Sequence, residues 1–316
     1  MTATTEVKPL LNAKGPRLLW LDLTRKCQLN CIHCYNASGP QGTHGTMSRE
    51  NWISVLDQAS DAGITHVQFI GGEPTLHPDF LELLEHTLTV GIQAEVFSNL
   101  VHVSESCWEL LQRPGVALAT SYYSDQAGEH DAMTRRRSHA RTRANIARAV
   151  RLGIPMRAGI IAASGARHIE ETRRDLGSLG VTRVGVDRVR EFGRGSGGEA
   201  PDAANLCGRC GDGRASIGPD GRVAPCVFST WMGVGNVQLA PLHLILTGVA
   251  MAEANAVIRR AAGKEDDCQP RCYPNQTPCY PAQTPCTPKG DFPTPCQPDL
   301  AECYPGFPSD PCGPGR

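Results

Sequence analysis

Three thiols fall within eight residues in Cys27-Gln28-Leu29-Asn30-Cys31-Ile32-His33-Cys34, the tightest group of soft metal ligands near the start of the sequence. A [4Fe–4S] cube has four irons and normally takes four cysteine ligands. A Cys-x3-Cys-x2-Cys triad would therefore leave one iron open to bind another molecule, as catalytic metal sites do. A zinc knuckle or a chance cluster is the plainer alternative, because the chain holds 14 cysteines. A second set is Cys207-Gly208-Arg209-Cys210 followed by Cys226. Between them Ile217-Gly218-Pro219-Asp220-Gly221-Arg222-Val223 has the pattern of a tight hairpin with Asp-Gly at its turn. Such a hairpin returns Cys226 to the side of Cys207 and Cys210, as a shared cluster or a zinc ribbon requires.

The elements that must position these residues are legible in the hydrophobic pattern. Arg17–Thr24 is an apolar run of strand length that leads straight into the first cysteines. Ser48 is a good N-cap, Glu50 suits the first turn, and Trp52, Val55, Leu56 and Ala59 share one helical face that ends at Gly63. His66–Ile70 is the next strand and runs into Gly71-Gly72-Glu73-Pro74. A helix opened by Pro78 with Leu81, Leu84 and Leu88 follows, then strand 93–98 and a short helix capped by Ser104. Strand 116–122, a basic segment, a helix around Ile146, strand 156–162, helix 168–179 and strand 182–186 complete six strand–helix alternations. This rhythm calls for an α/β fold with a parallel sheet and right-handed crossovers. Six units are too few for an eight-fold barrel, so an open or partial barrel is expected, with Cys27 just beyond the carboxyl end of its first strand.

Taken together, the cysteine triad after the first strand and Gly71–Pro74 after the second resemble the radical S-adenosylmethionine (SAM) superfamily. That resemblance implies a (β/α)6 partial TIM barrel over residues 17–190. It also implies a [4Fe–4S] cluster on Cys27, Cys31 and Cys34 whose open iron chelates the amino and carboxylate groups of SAM. His33 holds the position usually filled by an aromatic packed beside the adenine. Gly71, Gly72, Glu73 and Pro74 correspond to the segment that hydrogen-bonds the SAM amino group, with Glu73 supplying negative charge. Ser98 and Asn99 end the third strand where the family often has Thr-Asn, and Ser121 ends the fourth where it often has a serine facing SAM or substrate. Each of these polar residues can equally be a strand-end or cap contact. Arg157 is a weaker candidate for the SAM carboxylate, and the family's ribose-contacting Gly-x-Ile-x-Gly pattern is not cleanly present near Gly159.

Beyond the core, residues 191–206 read as a glycine-rich linker. Cys207, Cys210 and Cys226, with Gly221 and Gly235-Asn236-Val237 before a helix, resemble the start of a SPASM domain or its shorter twitch version, a carrier of auxiliary clusters. The expected module spans 207–290, with Cys268 and Cys272 as further ligands and one or two auxiliary [4Fe–4S] clusters. Its continuation departs from the standard spacing, and Cys272-Tyr-Pro-Asn-Gln-Thr-Pro is followed by Cys279-Tyr-Pro-Ala-Gln-Thr-Pro. Proline at that density builds neither helix nor apolar core. Residues 291–316 are therefore expected to be a disordered tail, and 1–16 a short arm.

Composition narrows the class further. Hydrophobic residues make up 40% of 316 residues, net charge is −1, and no apolar run approaches the roughly 18 residues of a membrane span. No signal peptide is evident. The expectation is a cytoplasmic enzyme with neither nucleic-acid nor membrane partners. Arg135, Arg136, Arg137 and Arg141 either meet an acidic substrate or leader peptide or form a solvated face. Cys107 reads as a buried structural thiol, and His44 and His130 as exposed loop residues. The resemblance implies reductive cleavage of SAM to a 5′-deoxyadenosyl radical that takes hydrogen from a substrate, with a flavodoxin- or ferredoxin-type electron donor. A ribosomally made peptide, crosslinked or epimerised, is the expected substrate. Sixteen residues ahead of the first strand leave no room for a fused recognition domain, so a precursor is expected to need either a separate recognition protein as partner or the cysteine-rich tail. The alternatives are an epimerase, decarboxylase or dehydrogenase acting on a sugar or nucleoside, and a non-catalytic iron–sulfur or zinc scaffold.

Overall fold

The computed structural model describes residues 18–162 and 166–263. Cys268, Cys272, the arm 1–16 and the expected tail lie outside them. Six strands run parallel in the order of the sequence: β1 (Leu18–Asp22), β2 (His66–Ile70), β3 (Gln93–Phe97), β4 (Val116–Tyr122), β5 (Met156–Ala162) and β6 (Arg183–Arg188). Helices α1 (Arg49–Asp61), α2 (Phe80–Thr89), α3 (Glu105–Leu111), α4 (Ala127–Thr134), α5 (His139–Arg151) and α6 (Ala166–Ser178) lie in the crossovers. Neighbouring strands in the sheet are neighbours in sequence, as expected for a barrel-like sheet wound in one direction.

Local chemistry explains most of these boundaries. Ser48 caps α1 through a capping box with Asn51, and Trp52, Val55, Leu56 and Ala59 are its buried face. In α2 the buried residues are Phe80, Leu83, Leu84 and Thr87, so the inner face is rotated from the expected Leu81-Leu84-Leu88 line. A short 3-10 turn at Pro74–Leu76 precedes it. Helix α4 falls where a loop was expected, just ahead of the basic segment that begins at Arg135.

The second cysteine region continues the same sheet. Strand β7 (Arg214–Ile217) pairs in parallel with β1, and β8 (Arg222–Ala224) returns antiparallel through the Gly218–Gly221 turn, followed by β9 (Gly235–Asn236). Gly221 adopts φ +76° there, and a side chain on it would collide with Asn236 and Met47. The chain then forms α7 (Leu242–Leu246) and α8 (Val249–Ala261). Together, Leu242–Ala261 are long and apolar enough by length and composition to cross a membrane, contrary to the expectation of shorter apolar runs. Small alanines raise the average there without a run of large aliphatics. Leu242, Ile245, Met251 and Ile258 face the core.

Candidate functional site

The cysteine loop is held from four sides. The pairing of β1 with β2 extends past both strands, where Leu23 N–H donates to Ile70 O at 3.0 Å. Gly72 N–H then donates to Thr24 O at 2.7 Å and Glu73 N–H to Lys26 O at 2.9 Å. This contact explains both glycines: a Cβ on Gly71 would lie 2.7 Å from Thr24 O, and one on Gly72 would lie 2.3 Å from Lys26 O. Across the loop, Cys27 N–H donates to Gly39 O at 3.0 Å. The carboxyl end of α4 accepts from Asn30 and Ile32, through Thr134 O at 3.1 Å and Met133 O at 3.0 Å. The fourth side is the expected linker, where Arg194 donates from Nε to Cys31 O and from Nη2 to Ser38 O, both at 2.7 Å.

Cys27, Cys31 and Cys34 line one open cleft at the carboxyl ends of the strands. The Cys27 sulfur accepts from Leu29 N–H at 3.4 Å and from Asn99 Nδ2 at 3.6 Å. Burial pushes the Cys27 thiol up to about 12, aided by the Glu73 carboxylate, and the Cys31 thiol up to about 11, aided by Cys34. Buried thiols of this kind lose their protons when iron or another metal supplies the compensating charge. Among the described residues no three His, Cys, Asp or Glu side chains converge on a single metal ion. The fit to a cluster rests on the shared cleft and the amide donors already aimed at sulfur.

The expected cofactor residues divide into two groups. His33, Gly71, Gly72, Asn99 and Ser121 line the cleft. His33 meets Tyr123 edge-on at 4.9 Å, and its burial lowers its pKa to about 4, so the ring is neutral. Glu73, Pro74 and Ser98 sit behind the wall, all buried. The Glu73 carboxylate accepts from Ser98 Oγ, Thr75 Oγ1 and Asn99 N–H at 2.8 Å each, and from Thr75 N–H at 3.3 Å. Its place is a brace between the turns after β2 and β3. Arg157 is likewise spent inside the barrel, on Glu95 at 2.6 and 2.7 Å.

Several cleft residues had no signal in the sequence reading. Tyr123, just past β4, and Asp187, Arg188 and Arg190, at and just past the end of β6, line it together with Arg194 and Phe228. Arg190 pairs with Asp187 at 2.9 Å. The glycines of 193–195 mark contact and not a break: a Cβ on Gly193 would lie 2.3 Å from Tyr35 O. His130 is 1% exposed on α4 and lines the cleft, which corrects its reading as an exposed loop residue. Tertiary contacts to the cysteine loop, invisible in local pattern, create that helix. Arg135, Arg136, Arg137 and Arg141 are exposed.

In the second set, Cys207 and Cys210 sulfurs lie 3.8 Å apart. Contacts with the Cys207 and Cys226 thiols, and burial, push Cys210 far up. The hairpin thus brings the three together. Tyr35, next to Cys34, meets Phe228 edge-on at 5.1 Å, and Phe228 N–H donates to Cys226 Sγ at 3.3 Å. One aromatic pair separates the two thiol groups.

Residues 21–176 match the model of the radical SAM superfamily, and residues 207–273 match that of SPASM, an iron–sulfur cluster-binding domain. The PqqA peptide cyclase of Gluconobacter oxydans (strain 621H) is 28% identical over 184 residues, which cover 57% of this chain and 51% of that protein. That of Xanthomonas oryzae pv. oryzae (strain MAFF 311018) is 32% identical over 107 residues, 34% of this chain and 29% of that protein. The match thus spans about half or less of the length of these relatives. Among solved structures, Streptococcus suis SuiB bound to precursor peptide SuiA superposes with a TM-score of 0.65 at 16% identity, covering 77% of this chain and 67% of that one. The anSMEcpe enzyme with bound AdoMet gives 0.60 at 15% identity, covering 78% and 84%. The chain belongs to the radical SAM superfamily, with a SPASM domain following its barrel-like core.

Proposed function

We propose that this protein cleaves SAM reductively and uses the resulting radical to take a hydrogen atom from a peptide. The observation that carries this reading is the joint between the Cys27–Cys34 loop and the Gly71–Gly72 turn, bonded backbone to backbone at the mouth of one cleft that all three cysteines line. Cys27, Cys31 and Cys34 would hold a [4Fe–4S] cluster, which would supply the electron that cleaves SAM to methionine and a 5′-deoxyadenosyl radical.

The chain's own residues supply the rest. Leu29 N–H and Asn99 Nδ2 stabilise charge on the Cys27 sulfur. Gly71 and Gly72 present bare backbone to the ligand. His33 and Tyr123 form a neutral ring wall beside it. Leu29, Ile70, Phe97 and Ile161 line the cleft with apolar surface, which keeps water from a radical centre.

A peptide substrate is supported by the peptide cyclases among the curated relatives and by SuiB, solved with its precursor peptide. The second cysteine set would hold an auxiliary cluster able to accept an electron after bond formation. A flavodoxin- or ferredoxin-type donor in the cytoplasm would reduce the first cluster, and a precursor made as a separate peptide would need a recognition protein to bring it.

Anaerobic reconstitution with iron, sulfide, SAM and dithionite tests the reading. The expected product is 5′-deoxyadenosine, lost in Cys31→Ala. A reconstituted protein that binds SAM and yields none would overturn it.

A further inference from the structure

Seven cysteines lie between 268 and 312, and each is followed two residues later by proline: Cys268-Gln-Pro, Cys272-Tyr-Pro, Cys279-Tyr-Pro, Cys286-Thr-Pro, Cys296-Gln-Pro, Cys303-Tyr-Pro and Cys312-Gly-Pro. None of the other seven cysteines has that context. Metal ligands do not need identical neighbours, and protein sites usually draw a pair from Cys-x2–4-Cys. Of the seven, only Cys268 and Cys272 are so spaced. The SPASM match ends at residue 273, which leaves five of the seven beyond it. Two full four-iron clusters would take eight ligands, whereas Cys207, Cys210, Cys226 and the seven make ten. A Cys-x-Pro unit repeated in excess of any ligand set suits an enzyme that modifies one motif several times.

The cleft suits such an occupant in charge and reach. Arg188, Arg190 and Arg194 line it against one acidic side chain, Asp187. Arg190 is committed to Asp187, and Arg194 to two backbone carbonyls. The Arg188 guanidinium has no partner among the described residues, so one cation faces the cleft uncommitted. Residues 264–316 carry seven acidic and four basic side chains. They begin just after α8, whose neighbour is the Ala203–Asn205 turn ahead of Cys207. Fifteen extended residues reach about 50 Å, roughly the width of a domain of this size.

We infer that the cleft's substrate is this chain's own Cys-x-Pro segment, whose thiols are joined to carbon in cis. This rests on the radical reading above and names its substrate. A C–S bond forms as one C–H and one S–H bond break. The hydrogen atom from carbon leaves on 5′-deoxyadenosine and the thiol proton goes to solvent. The remaining electron would pass to an iron–sulfur cluster held by Cys207, Cys210 and Cys226. Each crosslink makes the segment lighter by two hydrogens and removes one alkylatable thiol. Arg188 draws an acidic side chain of the segment into the cleft.

The test uses the full-length reconstituted protein with SAM and dithionite. Iron is then stripped, and the chain is denatured, reduced, alkylated and mapped by mass spectrometry. Peptides from 264–316 should lose alkylation and two hydrogens together, at a rate per chain unchanged by dilution, and should stay fully alkylated in Cys27→Ala. Complete alkylation in the wild type, whether those thiols had been metal ligands or free, overturns the inference, as does a rate that falls on dilution. If 5′-deoxyadenosine accumulates meanwhile, the radical reading stands alone; if not, both fall. A second readout needs no cluster. In the iron-free chain, mild oxidation of Ser121→Cys, which lines the cleft and leaves Arg188 in place, should trap a disulfide to a cysteine of 268–312, whereas Thr182→Cys, exposed just before β6, should not. Equal trapping at both positions counts against the cleft as the segment's site.

Discussion

At the scale of single residues, Glu73 shows how a motif's chemistry and its mechanics separate. Its carboxylate receives four hydrogen bonds from three neighbours and is fully buried, which raises its pKa even though those bonds pull it down. Glu73→Gln would turn an amide N–H₂ toward donors that have no other acceptor. Each such mismatch costs about 1–3 kcal/mol. Urea unfolding should show a loss on the order of 3 kcal/mol, and a variant as stable as the wild type would show that the brace is not structural. His130 gives a pH signature. It is packed among the rings of Tyr122, Tyr123 and His139, with Asp131 beside it. Burial, and then His139, lower its pKa from 6.5 to about 4. Between those values the unfolded chain binds a proton that the folded chain refuses, so stability falls as pH falls. At about 1.4 kcal/mol per unit, this residue accounts for roughly 2 kcal/mol between pH 7 and pH 5. His130→Phe should flatten the stability profile by that amount; an unchanged slope would assign it to other groups.

At the scale of elements, the readable parts of the fold were those whose pattern is local. The 3.6-residue spacing of Trp52, Val55, Leu56 and Ala59 and the Ser48 cap located α1, and the apolar runs located β2, β4 and β5 to the residue. Helix α4 could not be read, because Ala127–Thr134 has no apolar stripe and is held by bonds to the distant Asn30 and Ile32. The same reason hid Arg194. Its neighbouring glycines read as a break in pattern, while their actual role is to let the chain touch the backbone of Tyr35. Of the candidate site, the ligands and the glycine turn were visible as motifs, whereas the cleft's arginine wall depends on where β6 ends. Two substitutions test the mechanical account. Gly72→Ala places a methyl 2.3 Å from Lys26 O and should push the glycine turn off the cysteine loop, cutting iron bound at the first site at least several-fold. Gly128→Ala, with open space around it in α4, is the control and should bind iron normally. Equal iron in both variants would remove the joint from the argument. Arg194→Ala should lower iron retention under chelator challenge without unfolding the barrel, because its two bonds are to loop carbonyls alone.

At the scale of the whole molecule, the two thiol groups belong to one sheet. Strand β7 pairs with β1 over Leu18–Leu21, so the strand that delivers the first cysteines also carries the hairpin that delivers Cys226. Ile217 and Val223 of that hairpin share a buried cluster with Leu19, Leu21 and Phe69 of the barrel strands. Tyr35 and Phe228 close the gap between the two sets of sulfurs. The spacing of the two cysteine sets cannot drift unless the sheet itself opens. The hairpin should therefore not unfold as a separate unit. Ile217→Ala removes a fully buried side chain at the seam, a change that costs on the order of 3 kcal/mol in a packed core. Its effect should reach both sides of the seam: Trp20 fluorescence, reporting β1, and Cys210 thiol reactivity, reporting the second set, should shift to lower urea together and by the same amount. If Cys210 became reactive at a urea concentration where Trp20 was still native, the hairpin would be an independent module, and the fixed spacing of the two cysteine sets would lose its structural basis.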